Sequence, residues 1–150
     1  MEAEEYFEKL KNFLETSPAT ILPLSFLKNN AEIEIILADS LFLALYFQND
    51  KPVLEKRAAQ YPDVIFSIKT EAIDVLCQKP AEDIAQFGIG VVKEIMSGTI
   101  KIKVPGSLFN LMKNGYLDII KAGGKVFFEF LAEHGLRNLA KLPALISSLQ

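Results

Sequence analysis

The chain has 150 residues, with 16 Lys and Arg against 19 Asp and Glu, a single His and a single Cys. That length suits one domain able to bury roughly 70% of its unfolded surface, so a core needs neither metal nor disulfide, and Cys77 has no partner for an internal bridge. A net charge of -3 with no basic run speaks against nucleic acid, which requires a concentrated basic face.

The opening "MEAEEYFEKL" is acidic where a secretory signal is basic and then apolar. The longest apolar run, "LFLALYF" at 41–47, is far below the ~20 residues that span a bilayer. The expectation is a soluble, cytoplasmic protein. Yet half of the residues are hydrophobic and the mean hydropathy is +0.22. That surplus must line a core, a cavity or an interface.

In chain order, residues 2–16 place Tyr6, Phe7, Leu10, Phe13 and Leu14 at helical spacing, and Thr16, Ser17 and Pro18 end that helix. "ILPLSFLKNN" reads as an irregular connection or a short second helix, because Pro23 disfavours a long one. "AEIEIILA" alternates, with Ile33, Ile35 and Leu37 on one face and Glu32 and Glu34 on the other. "LFLALYF" is apolar on both faces, as in a strand covered twice or facing a cavity, and Asp39-Ser40 before it suits a tight hairpin or bulge. "QNDKPVLEKRAAQYP" reads as a turn-rich excursion. "DVIFSIKT" then sets Val64, Phe66 and Ile68 on one side of a third strand.

Helical patterns follow. "TEAIDVLCQK" starts at Thr70 as a candidate N-cap. "PAEDIAQFGIGVVKEIMSG" opens at Pro80, closes at Gly98 and carries an apolar stripe of Ile84, Phe87, Val91 and Ile95. Strand period returns at Ile100, Ile102 and Val104, then changes across Pro105-Gly106 to one helix through Leu108, Leu111, Met112, Tyr116 and Ile120. The last segment, 125–150, reads as one or two amphipathic helices broken near Gly135 and Pro143. Helix, strands, helices, strand and helix in that order predict an α+β fold.

Little of this sequence carries chemistry. His134 has no second His or Cys to share a metal and no Gly-X-Ser-X-Gly elbow to serve, so it reads as a surface or helix-end residue. Cys77 reads as packing. "GIGVVK" at 88–93 lacks the third glycine of a phosphate loop and sits within a helix; its small residues instead let a second helix or a ligand approach. No catalytic activity, cofactor or metal is expected.

From about 61 to 124 the sequence resembles the sterol carrier protein type-two family of lipid carriers. "YPDVIFSIKTEAIDVLCQK" is similar to that family's polar-flanked strand running into a helix. "AQFGIGVVKEIMSGTIKIKV" is similar to its amphipathic helix, small-residue turn and following strand, and "PGSLFNLMKNGYLDII" takes the place of its closing helix. Pro105, the long stretch 78–98 and the residues after Gly124 depart from the pattern.

The resemblance implies a single domain over 1–150 with a five-stranded antiparallel sheet, helices packed on one face, and an apolar tunnel between the two layers. It also implies non-enzymatic binding or transfer of a lipid such as a fatty acid, an acyl-CoA or a sterol. Phe66, Ile68, Phe87, Val91, Ile95, Leu108, Leu111 and Met112 are the expected lining. The partner is then a lipid or similar hydrophobic small molecule, with transient membrane contact and a homodimer as further options and no nucleic acid. The competing reading is a protein-interaction or dimerisation module with the same fold and a filled core. The helical extension 125–150 would serve the first as a lid and the second as an interface.

Overall fold

The computed structural model describes residues 2–78 and 84–122. His134, Pro80 and the 125–150 extension lie outside the described residues, as do the side chains of Ile84, Leu108 and Ile120. Helix α1 (Glu2–Thr16) buries Phe7, Leu10, Phe13 and Leu14, the stripe that its spacing predicts. It stops where the Ser17 side chain accepts from the Ala19 N–H, capping α2 (Pro18–Leu24), whose first residue is proline. The Thr20 hydroxyl ties the two helices together through the Leu14 carbonyl at 2.9 Å. Pro23 sits inside this short helix and is buried.

Strands β1 (Ile33–Leu37) and β2 (Leu41–Gln48) pair antiparallel, with Ile33 opposite Leu45 and Ile35 opposite Leu43. Ala38 and Asp39 turn the chain with φ of 53° and 57°. The excursion expected after β2 contains a strand, β3 (Lys51–Glu55), which pairs with β2 through a tight turn. Asn49 and Asp50, both in the left-handed region at φ 55° and 63°, give that turn the conformation of a two-residue hairpin. Pro52 is tolerated because β3 is an edge strand, and its ring is buried.

Strand β4 (Ile65–Ile68) lies on the other side of β1, and β5 (Ile100–Lys103) closes the sheet, in the order β3-β2-β1-β4-β5. The sheet has the expected five strands but is mixed: β1 and β4 run parallel, and the other three pairings are antiparallel. The reason lies in the chain between β3 and β4, which has to return past β2 and β1. It is held over β1 by the two glutamates of the outer face. Glu32 accepts from the two terminal guanidinium nitrogens of Arg57 at 2.9 and 2.8 Å and from the Gln60 N–H at 2.8 Å. Glu34 accepts from the Ala59 N–H at 3.2 Å. A chain that crosses the sheet in this way re-enters it parallel to its new neighbour, not antiparallel as a hairpin would.

Helix α3 (Thr70–Gln78) follows β4 directly, and Thr70 is its first residue; its hydroxyl donates to Glu71 at 2.9 Å. Helix α4 (Ile84–Ser97) ends at Gly98, where φ is +88°. The closing helix is two helices, α5 (Leu108–Lys113) and α6 (Tyr116–Ala122), and the break falls at Asn114-Gly115. Gly115 has φ +92° and lies against the Phe26 carbonyl, which leaves no room for a Cβ.

The Candidate functional site

Register fixes which side chains share a face. The pairs Leu45–Ile33, Ile35–Phe66, Phe66–Ile102 and Ile68–Ile100 put an unbroken apolar surface across β2, β1, β4 and β5. All six helices among the described residues contribute to the layers around this surface. They do not fill the space above it. A cavity of about 340 Å³ remains between the layers.

The sheet lines this cavity with Ile33, Ile35, Leu45, Phe66, Ile68, Ile100 and Ile102. Helix α4 adds Phe87, Gly88, Val91, Val92 and Ile95, while α3 adds Leu76 and Cys77. From the other side come Leu10, Phe13 and Leu14 of α1 and Thr20, Pro23 and Leu24 of α2. Val64 just before β4, Leu111 of α5, and Tyr116, Leu117 and Ile119 of α6 also line it. Phe13 and Phe87 meet edge to face, with ring centroids 5.5 Å apart, and join α1 to α4 beside the cavity.

Of the residues expected from the sequence, Phe66, Ile68, Phe87, Val91, Ile95 and Leu111 are brought together on this wall. Met112 is not part of it; it precedes the break at Asn114-Gly115, and only its neighbour Leu111 turns inward. The α1 and α2 contributions were not anticipated. The apolar stripe of α1 was legible, but a stripe on a helix does not say whether it meets side chains or a void.

The two glycines of "GIGVVK" divide the roles expected of small residues. Gly88 lies on the cavity wall. A Cβ on Gly90 would come within 3.2 Å of Leu76 Cδ2, so this glycine sets the spacing of α4 against α3.

Electrostatically the wall is neutral. Among the described residues no Asp, Glu, Lys, Arg or His lines it, and no group of acidic, His or Cys side chains is arranged to hold a metal ion. Burial pushes the Cys77 thiol up to about 11, which keeps it protonated and inert at neutral pH. Burial likewise raises Tyr116 far above an ordinary phenol, and the Asp63 carboxylate adds to the effect.

The wall reaches solvent beside β5. Ile102 and Val104 line the cavity and are still 37% and 47% exposed, and Phe109 nearby in the chain is 63% exposed. No helix among the described residues is long and apolar enough to cross a membrane.

No protein-family model matches this chain, and no curated protein matches it. Among solved structures it is similar to one described as UbiJ-SCP2 ubiquinone synthesis protein, with 17% identity over 81% of this chain and 95% of the other and a TM-score of 0.45. It is also similar to sterol carrier protein 2 from Yarrowia lipolytica in its apo form, with 22% identity over 83% and 94% of the two chains and a TM-score of 0.36. The likeness is distant, so the chemistry of the cavity rests on its own residues.

Proposed function

We propose that this protein binds a lipid and carries it, without chemically changing it, with the lipid's apolar body held between the sheet and the helices. The observation that carries this reading is the cavity of about 340 Å³ walled almost wholly by hydrocarbon. That volume lies at the low end of the range of small-molecule sites, roughly 300 to 1,000 Å³. Burying an alkyl chain gains about 0.8 kcal/mol per methylene, so ten methylenes give enough gross free energy for micromolar binding after association costs.

In this reading Phe66, Ile68, Phe87, Val91, Ile95 and Leu111 contact the ligand, and fatty acids, acyl-CoAs and sterol-like lipids are its candidate classes. The lipid would enter beside β5, where Ile102 and Val104 belong to the wall and to the surface. Transient contact with a membrane through this edge would load it. The whole of 1–150 is taken as one cytoplasmic domain, with 125–150 as lid or as a surface for a second copy. The competing reading, an interaction module with a filled core, is disfavoured by the unfilled volume.

The test is uptake of diphenylhexatriene, an uncharged apolar dye that fluoresces once out of water. Saturable uptake of one dye per chain is expected. Absence of saturable uptake would return the apolar surplus to core and interface and sink the carrier reading.

A further inference from the structure

We infer that the β5 edge of the sheet docks on an anionic lipid bilayer, and that the cavity mouth there opens directly into that bilayer. The inference rests on the carrier reading and names the partner that loads and unloads it. The two edges of the sheet differ. At β3 the edge is covered by α1, where Lys11 donates to the Leu54 carbonyl at 3.0 Å and Glu15 accepts from the Leu54 N–H at 3.0 Å. At the other end β5 is the last strand of the described sheet, and Lys101, Ile102, Lys103, Val104 and Pro105 are all exposed.

Two aromatic rings extend the apolar surface of the mouth. Phe109 on α5 is mostly exposed, and Tyr61 is 97% exposed. The Gly106 N–H donates to the Asp63 carbonyl at 3.2 Å, which holds the turn after β5 beside the segment that carries Tyr61. Aromatic side chains left in water at such a place gain by entering the interfacial layer of a bilayer.

The charge fits an anionic surface. The chain is acidic overall, yet residues 95–117 hold Lys101, Lys103 and Lys113 and no Asp or Glu. Among the described residues none of these three lysines takes part in an ion pair. The neighbouring carboxylates are engaged elsewhere: Asp63 is buried and accepts from Asn114, Glu94 accepts from the Thr99 hydroxyl, and Asp118 faces Lys28. Lys101 and Lys103 alternate with Ile102 and Val104, and Lys113 lies one helical turn from Phe109. Lysine stems are long enough to set their ammonium groups among lipid phosphates while these apolar neighbours enter the acyl boundary.

Helix α1, the other amphipathic element at the surface, exposes Glu2, Glu4, Glu5 and Glu8 and would be repelled by the same membrane. An acidic protein would also match the lysines. A bilayer is favoured because Ile102 and Val104 belong to the cavity wall and to the surface, so a lipid passes between the two without crossing water.

The experiment is co-flotation of the full chain with phosphatidylcholine vesicles, with and without about one-third phosphatidylglycerol. At low salt the parent should partition onto the anionic vesicles at least about tenfold more strongly, and added salt should weaken it. Lys103→Gln should weaken partition about fivefold, the worth of one lysine at an anionic surface, and the triple change K101Q, K103Q and K113Q roughly a hundredfold. Lys51→Gln, the same charge change on an exposed residue of β3, should cost less than about twofold. Phe109→Ser should cost about tenfold. All of these side chains are exposed, so the melting midpoints should not change.

Equal partition onto neutral and anionic vesicles, no binding to either, or Lys51→Gln as costly as Lys103→Gln would overturn the inference. A dimer that Phe109→Ser dissolves, without vesicle binding, would give the patch to a second copy instead. Dye uptake in the absence of vesicles reads the carrier function separately. Uptake with no vesicle binding removes the docking surface alone, whereas vesicle binding with no uptake removes the carrier reading and the role of the mouth with it.

Discussion

Gly115 packs directly against the carbonyl oxygen of Phe26, at φ +92°, and this contact is where the last described helical segment breaks in two. The break turns Tyr116 and Leu117 inward, where both are buried on the cavity wall. Gly115→Ala adds a Cβ to a backbone conformation that disfavours one and drives it into that carbonyl. The expected loss is about 3 kcal/mol or more in urea unfolding, well above the ~1 kcal/mol of an ordinary glycine replacement. A loss below 1 kcal/mol would mean that α6 can shift freely, and the wall it forms would not be fixed.

Filling the cavity should separate binding from stability. Val91 lies on the wall in mid-α4. Val91→Phe places a larger apolar side chain into open volume, so the melting midpoint should hold or rise by a few degrees. Dye uptake should weaken about tenfold or more. A variant that folds normally and binds the dye as well as the parent would place the dye elsewhere.

The Cys77 thiol reports on the same wall. Desolvation raises it to about 11 from an ordinary 9.0. Its thiolate fraction at neutral pH is then roughly a hundredfold below that of the unfolded chain. Alkylation by iodoacetamide should be slower by about that factor in the native protein than in urea, and should accelerate as the pH approaches 11. Bound lipid should slow it further. Equal rates in both states would show that this side of α3 is open.

How far the sequence alone reaches is clearest at the strands. Ile33, Ile35 and Leu37 alternate cleanly against Glu32 and Glu34, and this pattern also marked the face that the returning chain crosses. It could not say that the crossing makes β4 parallel, because the anchor, Arg57, is 25 residues from Glu32. β3 was hidden because Pro52 and the flanking Asn49-Asp50 signal turns, and only the edge position makes the proline harmless. The break at Gly115 was hidden for a similar reason: its cause is a carbonyl from α2's end, not a local signal. The apolar stripe of α4 put Phe87, Val91 and Ile95 on one face, and they share the cavity wall, whereas the stripe of α1 carried no sign of a cavity. Whether facing stripes meet or leave a gap depends on helix positions set by contacts such as Gly90 against Leu76.

The crossing segment makes a pH prediction. Its hydrogen bond from Arg57, more than any other influence, holds the Glu32 carboxyl below the ordinary 4.5. A depressed folded-state value means that the stabilisation is fully present above pH 4.5 and is lost as the pH falls through the lowered value. Arg57→Ala should cost about 1 kcal/mol at neutral pH, allowing for solvent screening, and the cost should shrink as Glu32 protonates. Denaturant midpoints of parent and variant should therefore converge in acid. A constant gap from pH 7 to pH 3 would show that Arg57 acts through packing alone.

Native mass spectrometry of protein purified from cells, with solvent extraction of what co-purifies, shows whether the space between sheet and helices holds a lipid. An added mass of one small lipid per chain, released into solvent, is expected. A clean ligand-free mass, with no lipid in the extract and no lipid taken up on later addition, would contradict it.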